Sequence, residues 1–133
     1  MNASPPQSPT YLACVTPAGA GALASLALRG PQAWAVVREV FRRPGGRDLP
    51  AEPEAGSFWP GRLGEEGRGG RDEVVLAVRR GGPAPWLEVH CHGGREVVSL
   101  LQEVLAARGL RTVSWEELEA RTAEDLLRAE AQP

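Results

Sequence analysis

The sequence predicts an α+β domain, a mixed β-sheet with helices packed on it, and three observations carry that expectation. Short apolar runs bounded by Gly and Pro recur along the chain and have strand character. Two longer segments carry apolar residues at spacings of three and four, the helical period. The resulting order, β-β-α-β-β-β-α-β-α, lacks the strict βα alternation of a parallel sheet. A chain of 133 residues, 42% of them hydrophobic, falls in the size range of one domain and can bury one core.

The elements follow in chain order. Residues 1–10, "MNASPPQSPT", are rich in Pro and Ser and read as a flexible tail, leaving 11–133 as a single domain. "YLACV" is a short strand, and "TPAGAGA" after it is a loop. "LASLALRG" mixes periods, but its flanking glycines and the Gly30-Pro31 break favour a strand. From Pro31 a helix is expected, with Trp34, Val37, Val40 and Phe41 on one face until "RRPGG" stops it. "SFWPGRL" is a strand between two Pro/Gly/charge-rich stretches, and "EVVLAVRR" is a β-branched run of strand length. "GGPAP" then turns the chain into the strand "WLEVHCH".

The helix expected over 94–108 has Val97, Val98, Leu101, Val104 and Leu105 on one face, with Gly109 as its stop. "LRTV" is a returning strand. Ser114 with Glu117 three residues on forms a capping-box pattern, so a last helix begins at Trp115.

Composition narrows the chemistry. The net charge of −2 argues against a free-standing nucleic-acid binder, so any RNA contact needs a partner. All fifteen basic residues are Arg, which removes P-loop, Schiff-base and general-base lysines. No run approaches a membrane span and the N-terminus lacks a signal-peptide pattern, so no membrane association and a cytoplasmic location are expected. Cys14 and Cys91 are expected to be reduced thiols.

The chemically suggestive stretch is "HCHGG". On a strand His90 and His92 share one face and Cys91 points to the other, so the three form no ligand set. Two histidines leave a zinc site short of ligands unless Glu88, on the same face, joins them, and no metal is expected. Cys91 reads as a small buried hydrophobe, since its neighbouring histidines face away from it. Gly93 and Gly94 read as permissive residues at a tight strand-to-helix turn. "PAGAGA" lacks the G-x-G-x-x-G spacing and precedes a strand, so it is no nucleotide loop. Trp34 and Trp115 are expected to anchor core or interface, and the arginine-rich "GRGGRDEVVLAVRR", with its acidic neighbours, to be solvated. No acid and base pair at a persuasive catalytic spacing, and no catalytic residue is assigned.

"VTPAGAGALASLALRGPQAWAVVREVF", "DEVVLAV" and "LEVHCHGGREVVSLLQEVLAARGLR" together resemble the N-terminal domain of the MnmE/TrmE tRNA modification GTPases, over about residues 11–121. That family carries "TPxGRGAIGIIRLSGPxA", "DEVLV" and "GEDVVEIHCHGGxxV" in the same order. The resemblance implies a fold like the tetrahydrofolate-binding domain of the glycine-cleavage T-protein (GcvT-like). It also implies a homodimer, formyl-tetrahydrofolate as one-carbon donor, an MnmG-like flavoprotein partner, and a role in wobble-uridine modification, with tRNA contacted only indirectly. No GTPase motif is present in these 133 residues, so GTP hydrolysis is not expected of this chain.

The chain also departs from the family's pattern. Ala20 stands where "GRG" has its arginine, Ala27 replaces a second arginine, and Arg29 takes the place of a serine. Ala84 falls near the glutamate of a shortened loop, and Glu117 matches the glutamate of "PGEF". The cofactor-binding candidates that the resemblance implies are Ala20, Gly21, Arg29, Glu88, His90, His92 and Glu117. Two readings stay open: a folate-binding module, or a degenerate paralogue that keeps the fold for protein interaction or dimerisation. A stand-alone one-carbon enzyme of the T-protein type is the weaker third.

Overall fold

The computed structural model describes residues 8–15, 23–65, 67 and 69–131, with side chains through residue 125. Seven strands form one sheet: β1 (Tyr11–Cys14), β2 (Leu23–Arg29), β3 (Phe41–Arg42), β4 (Phe58–Glu65), β5 (Gly70–Arg80), β6 (Trp86–His92) and β7 (Arg111–Thr112). Three helices join them: α1 (Ala33–Val40), α2 (Arg95–Ala106) and α3 (Trp115–Ala131). The spatial order is β3-β4-β5-β6-β2-β1-β7. β1 and β7 run parallel, whereas the other neighbours are antiparallel, so the sheet is mixed as expected. The "TPAGAGA" loop lies outside the described residues.

Alternation along the strands divides the sheet into two faces. Leu26 and Leu28 of β2, Leu76 and Val78 of β5, and Leu87, Val89 and Cys91 of β6 are buried on the first face. α1 and α2 close it, with Trp34, Val37 and Val40 from one and Val98, Leu101 and Leu105 from the other. On the second face α3 covers only the β1–β2 side, where Leu118 packs with Ala13 and Ala27, and Trp115 meets Trp86 edge-on at 6.3 Å. Both expected tryptophan anchors are realised, since the Trp34 indole N–H donates to the Pro50 carbonyl.

Several boundaries differ from expectation for identifiable reasons. Of the expected tail, residues 1–7 lie outside the described residues, but Thr10 is buried and its hydroxyl accepts the Gln32 N–H at 2.8 Å. That contact supplies the α1 start with a cap that Gln32 does not provide. Gly30 (φ 141°) allows it, because a Cβ there would sit 2.6 Å from the Thr10 Cα. Phe41 is not the end of the helix. It turns extended and pairs with Leu63, its ring filling the space beside Gly61. "LRTV" contributes just two paired residues, and β5 begins at Gly70, so half of the expected solvated arginine loop is strand.

At the "HCHGG" turn, Gly94 has φ −59° and open space where a Cβ would be, so the turn does not need its conformational freedom. Gly109 does need φ 98°, and it ends α2 as expected. Only half of the capping box forms. The Glu117 N–H donates to Ser114 Oγ, while the Glu117 carboxylate turns away to Arg121.

Candidate functional site

β6 holds the histidines in place by register. His90 lies opposite Ser25 on β2 and Val75 on β5, and His92 lies opposite Leu23 at the start of β2. The Ser25 hydroxyl and His90 Nδ1 are 2.8 Å apart, His90 Nε2 lies 3.5 Å from Glu88 Oε1, and Arg79 Nε donates to Glu88 Oε2 at 3.0 Å. The carboxylate beside Nε2 favours the proton on that nitrogen, which leaves Nδ1 to accept from Ser25. Ser, His and Glu thus stand in relay order. They do not form an acyl-transfer site, because strand N–H groups lie in the sheet plane and none points out to stabilise an oxyanion. The chain of contacts orients the His90 ring.

Cys91 faces the other way. It is 2% exposed, and burial, with Cys14 and Asp72 nearby, pushes its thiol up to about 11, which keeps it protonated and unreactive at neutral pH.

A pocket of about 930 Å³ opens at the end of the sheet where β2 begins and β6 finishes. Its apolar wall comes from Leu23, Pro60 and Val75, with His90 and His92 beside them. Its lining includes Arg42, Arg43, Arg62 and Arg71 and, among the described residues, one carboxylate, Glu73. The Glu73 carboxylate stands 3.8 Å from Arg62, a loose contact between two exposed side chains. Arg42 Nη1 donates to the carbonyls of Phe41, Glu39 and Arg38 at the end of α1, and the Arg43 guanidinium lies 4.6 Å over the Trp59 ring. An apolar wall, a cationic rim and one carboxylate suit a ligand with a flat heterocycle and an anionic tail.

The candidates named from the sequence do not all meet here. His90 and His92 line the pocket, and Glu88 is on the same face one step further along β6. Ala20 and Gly21 lie outside the described residues. Arg29 sits six residues away along the β2–β6 pairing, roughly 20 Å. There it donates to Thr122 Oγ1 at 3.0 Å, pairs with Asp125 at 3.0 Å and lies 5.7 Å from the Trp86 ring centre. Glu117 is at that same end, held by Arg121. A smaller hollow of about 450 Å³ is lined by these two arginines, but both are already paired: Arg29 ties the sheet to α3 through Asp125, while Arg121 pairs with Glu117 within α3 and lies over the Tyr11 ring of β1. The pocket's arginines and Glu73 were not identified from the sequence. "RRPGG" shows the charge of Arg42 and Arg43, but only the β3-β4-β5 pairing brings them to Arg62 and Glu73.

Among the described residues no group of three or more His, Cys, Asp or Glu could hold a metal ion, and no helix is long and apolar enough to cross a membrane. No family model matches the chain. It is similar to the tRNA modification GTPase MnmE of Enterococcus faecalis, 34% identical over 107 residues, 77% of this chain and 23% of that protein. The same protein of Thermotoga maritima is 33% identical over 106 residues, 77% of this chain and 22% of that protein. That of Flavobacterium psychrophilum is 28% identical over 130 residues, which is 92% of this chain and 28% of that protein. The chain thus spans about a quarter of the length of these relatives. The mixed sheet, the "HCHGG" turn and these matches together identify the chain as a domain of the MnmE N-terminal type.

Proposed function

We propose that this chain is the one-carbon-donor-binding and self-associating module of a tRNA-modifying protein of the MnmE kind. Formyl-tetrahydrofolate binds in the pocket beside His90 and His92. The heterocycle lies against Leu23 and Val75, Glu73 accepts from its amino and ring N–H edge, and the arginine rim takes the tail carboxylates. The chain pairs with a second copy, works with an MnmG-like flavoprotein in wobble-uridine modification in the cytoplasm, and leaves most tRNA contact to its partners because its net charge is −2. The single observation that carries this reading is the joining of apolar wall, carboxylate and cationic rim in one pocket at the histidine strand.

Calorimetric titration of formyl-tetrahydrofolate into the chain, with its mass fixed first by light scattering, tests the proposal. Saturable binding to a dimer is expected, lost in Glu73→Gln and His92→Ala. A monomer that gives no heat at millimolar ligand rules it out. One observation favours a second reading: Leu23 and Phe58, each 69% exposed, lie on the same sheet face and suit an interaction surface. A dimer without folate affinity selects that reading, a degenerate paralogue kept for protein interaction.

A further inference from the structure

We infer that Arg79, Glu88 and Ser25 are positioning residues that fix the His90 imidazole in its Nε2–H form, with both nitrogens spent inside the sheet. His90 then offers the pocket a rigid ring with only C–H edges and π faces, and His92 is the histidine whose nitrogens stay open to a ligand.

The network is built by register. Glu88 lies opposite Ala27 on β2 and Ala77 on β5, so neither cross-strand side chain offers its carboxylate a hydrogen bond. The carboxylate, 17% exposed, reaches along the strands instead. Its Oε2 accepts from Arg79 Nε at 3.0 Å, and its Oε1 faces His90 Nε2 at 3.5 Å. The guanidinium aims the carboxylate, and the negative oxygen favours a proton on Nε2 over a lone pair there. On the other side of the ring the Ser25 hydroxyl lies 2.8 Å from Nδ1, where it donates to a bare ring nitrogen. Reversing the tautomer would set the Nε2 lone pair against a carboxylate oxygen, so both contacts select the same form.

His92, two residues on, shares the face but not the restraint. It lies opposite Leu23, is exposed, and makes no hydrogen bond or ion pair among the described residues. The two histidines are alike in strand position, and only their neighbours on β2 and β6 tell them apart. A ring held from both ends has little freedom left to lose when a ligand rests on it. His90 is thus a preformed floor beside Val75, its neighbour on β5.

The test is the nitrogen spectrum of the two imidazoles in the full chain, isotopically labelled at histidine and held at about pH 8.5, where an ordinary histidine is neutral. His92→Gln assigns the signals. Wild-type His90 is expected to show a protonated Nε2 and a bare Nδ1, its N–H exchanging with water about tenfold more slowly than that of His92. Glu88→Ala and Ser25→Ala should move the His90 signals toward the averaged positions of His92, and Arg79→Ala should do so in part. Ser25→Thr, which keeps the hydroxyl, should retain the wild-type pattern, a rescue that a merely structural role for Ser25 would not give. A proton on Nδ1 overturns the inference, as do wild-type His90 signals that average like those of His92. A pattern unchanged in Glu88→Ala and Ser25→Ala overturns it too, and the wild-type spectrum decides alone where a variant does not fold. Formyl-tetrahydrofolate is then added, the one step that rests on the folate reading above. The His92 nitrogens are expected to shift while His90 keeps its slow Nε2–H, and a His90 nitrogen that changes its proton on binding sinks the inference. No shift at either histidine counts against the folate reading, and the ligand-free spectra still decide the network.

Discussion

The two faces of the sheet are built from the same strands and behave oppositely. On the face under α1 and α2, Leu26, Leu76, Leu87 and Val89 are fully buried, and Cys91 nearly so. On the other face, away from α3, Leu23 and Phe58 are 69% exposed, Val75 is 38% exposed, and the histidines stand among them. β6 contributes to both, with Leu87, Val89 and Cys91 to one and Glu88, His90 and His92 to the other. The difference teaches that a period of two lets one strand carry the stability on one side and the chemistry on the other. Substitutions on one face should therefore leave the other largely untouched.

The largest test of that separation is Leu76→Ala on the closed face. Removing a fully buried side chain should cost about 2–5 kcal/mol in denaturant unfolding. A cost under about 1 kcal/mol would show that the face tolerates collapse and is not closely packed. Next comes Gly61→Ala, at the joint between the faces. Its Cβ would fall 2.4 Å from both the Arg42 carbonyl and the Phe41 ring, so β3 must shift, at about 1–3 kcal/mol. Ligand binding should weaken with it, because Arg42 and Arg43 move together with β3.

Alkaline pH reaches the closed face through Cys91. The Cys91 thiol is raised from about 9 to about 11, so over pH 9 to 11 the unfolded chain loses its proton before the folded one. The associated stability is intact below pH 9 and is lost as pH rises through 11, by about 3 kcal/mol at most. Cys91→Ala should flatten that part of a melting-temperature profile. The smallest effect is expected for Phe58→Ser on the open face, within about 0.5 kcal/mol for the isolated chain. If it destabilises by several times that, and more so at higher protein concentration, the face is covered by a second copy in solution.

Much of the fold was legible in the sequence because it rests on local patterns. Trp34, Val37 and Val40 mark one face of α1, Val98, Leu101 and Leu105 mark α2, and the alternation in "WLEVHCH" sets Cys91 apart from the histidines. Boundaries failed where a distant residue intervened. Phe41 leaves the helix because Leu63 and Gly61 receive it, and Thr10 joins the core because Gln32 needs a hydrogen-bond acceptor. The site was legible in part, since His90 and His92 line the pocket. Arg29 and Glu117, named beside them, stand at the α3 end in ion pairs of their own.

The sequence alone determined the element types, the sidedness of each strand and the family resemblance, because all three depend on residue spacing within short windows. Tertiary structure decided which charges meet. Arg42, Arg62 and Glu73 are spread over 32 positions of the chain and come together across β3, β4 and β5 only when the strands pair. Strand pairing is a long-range choice made by burying the closed face, and it sets the register that puts these side chains on one rim.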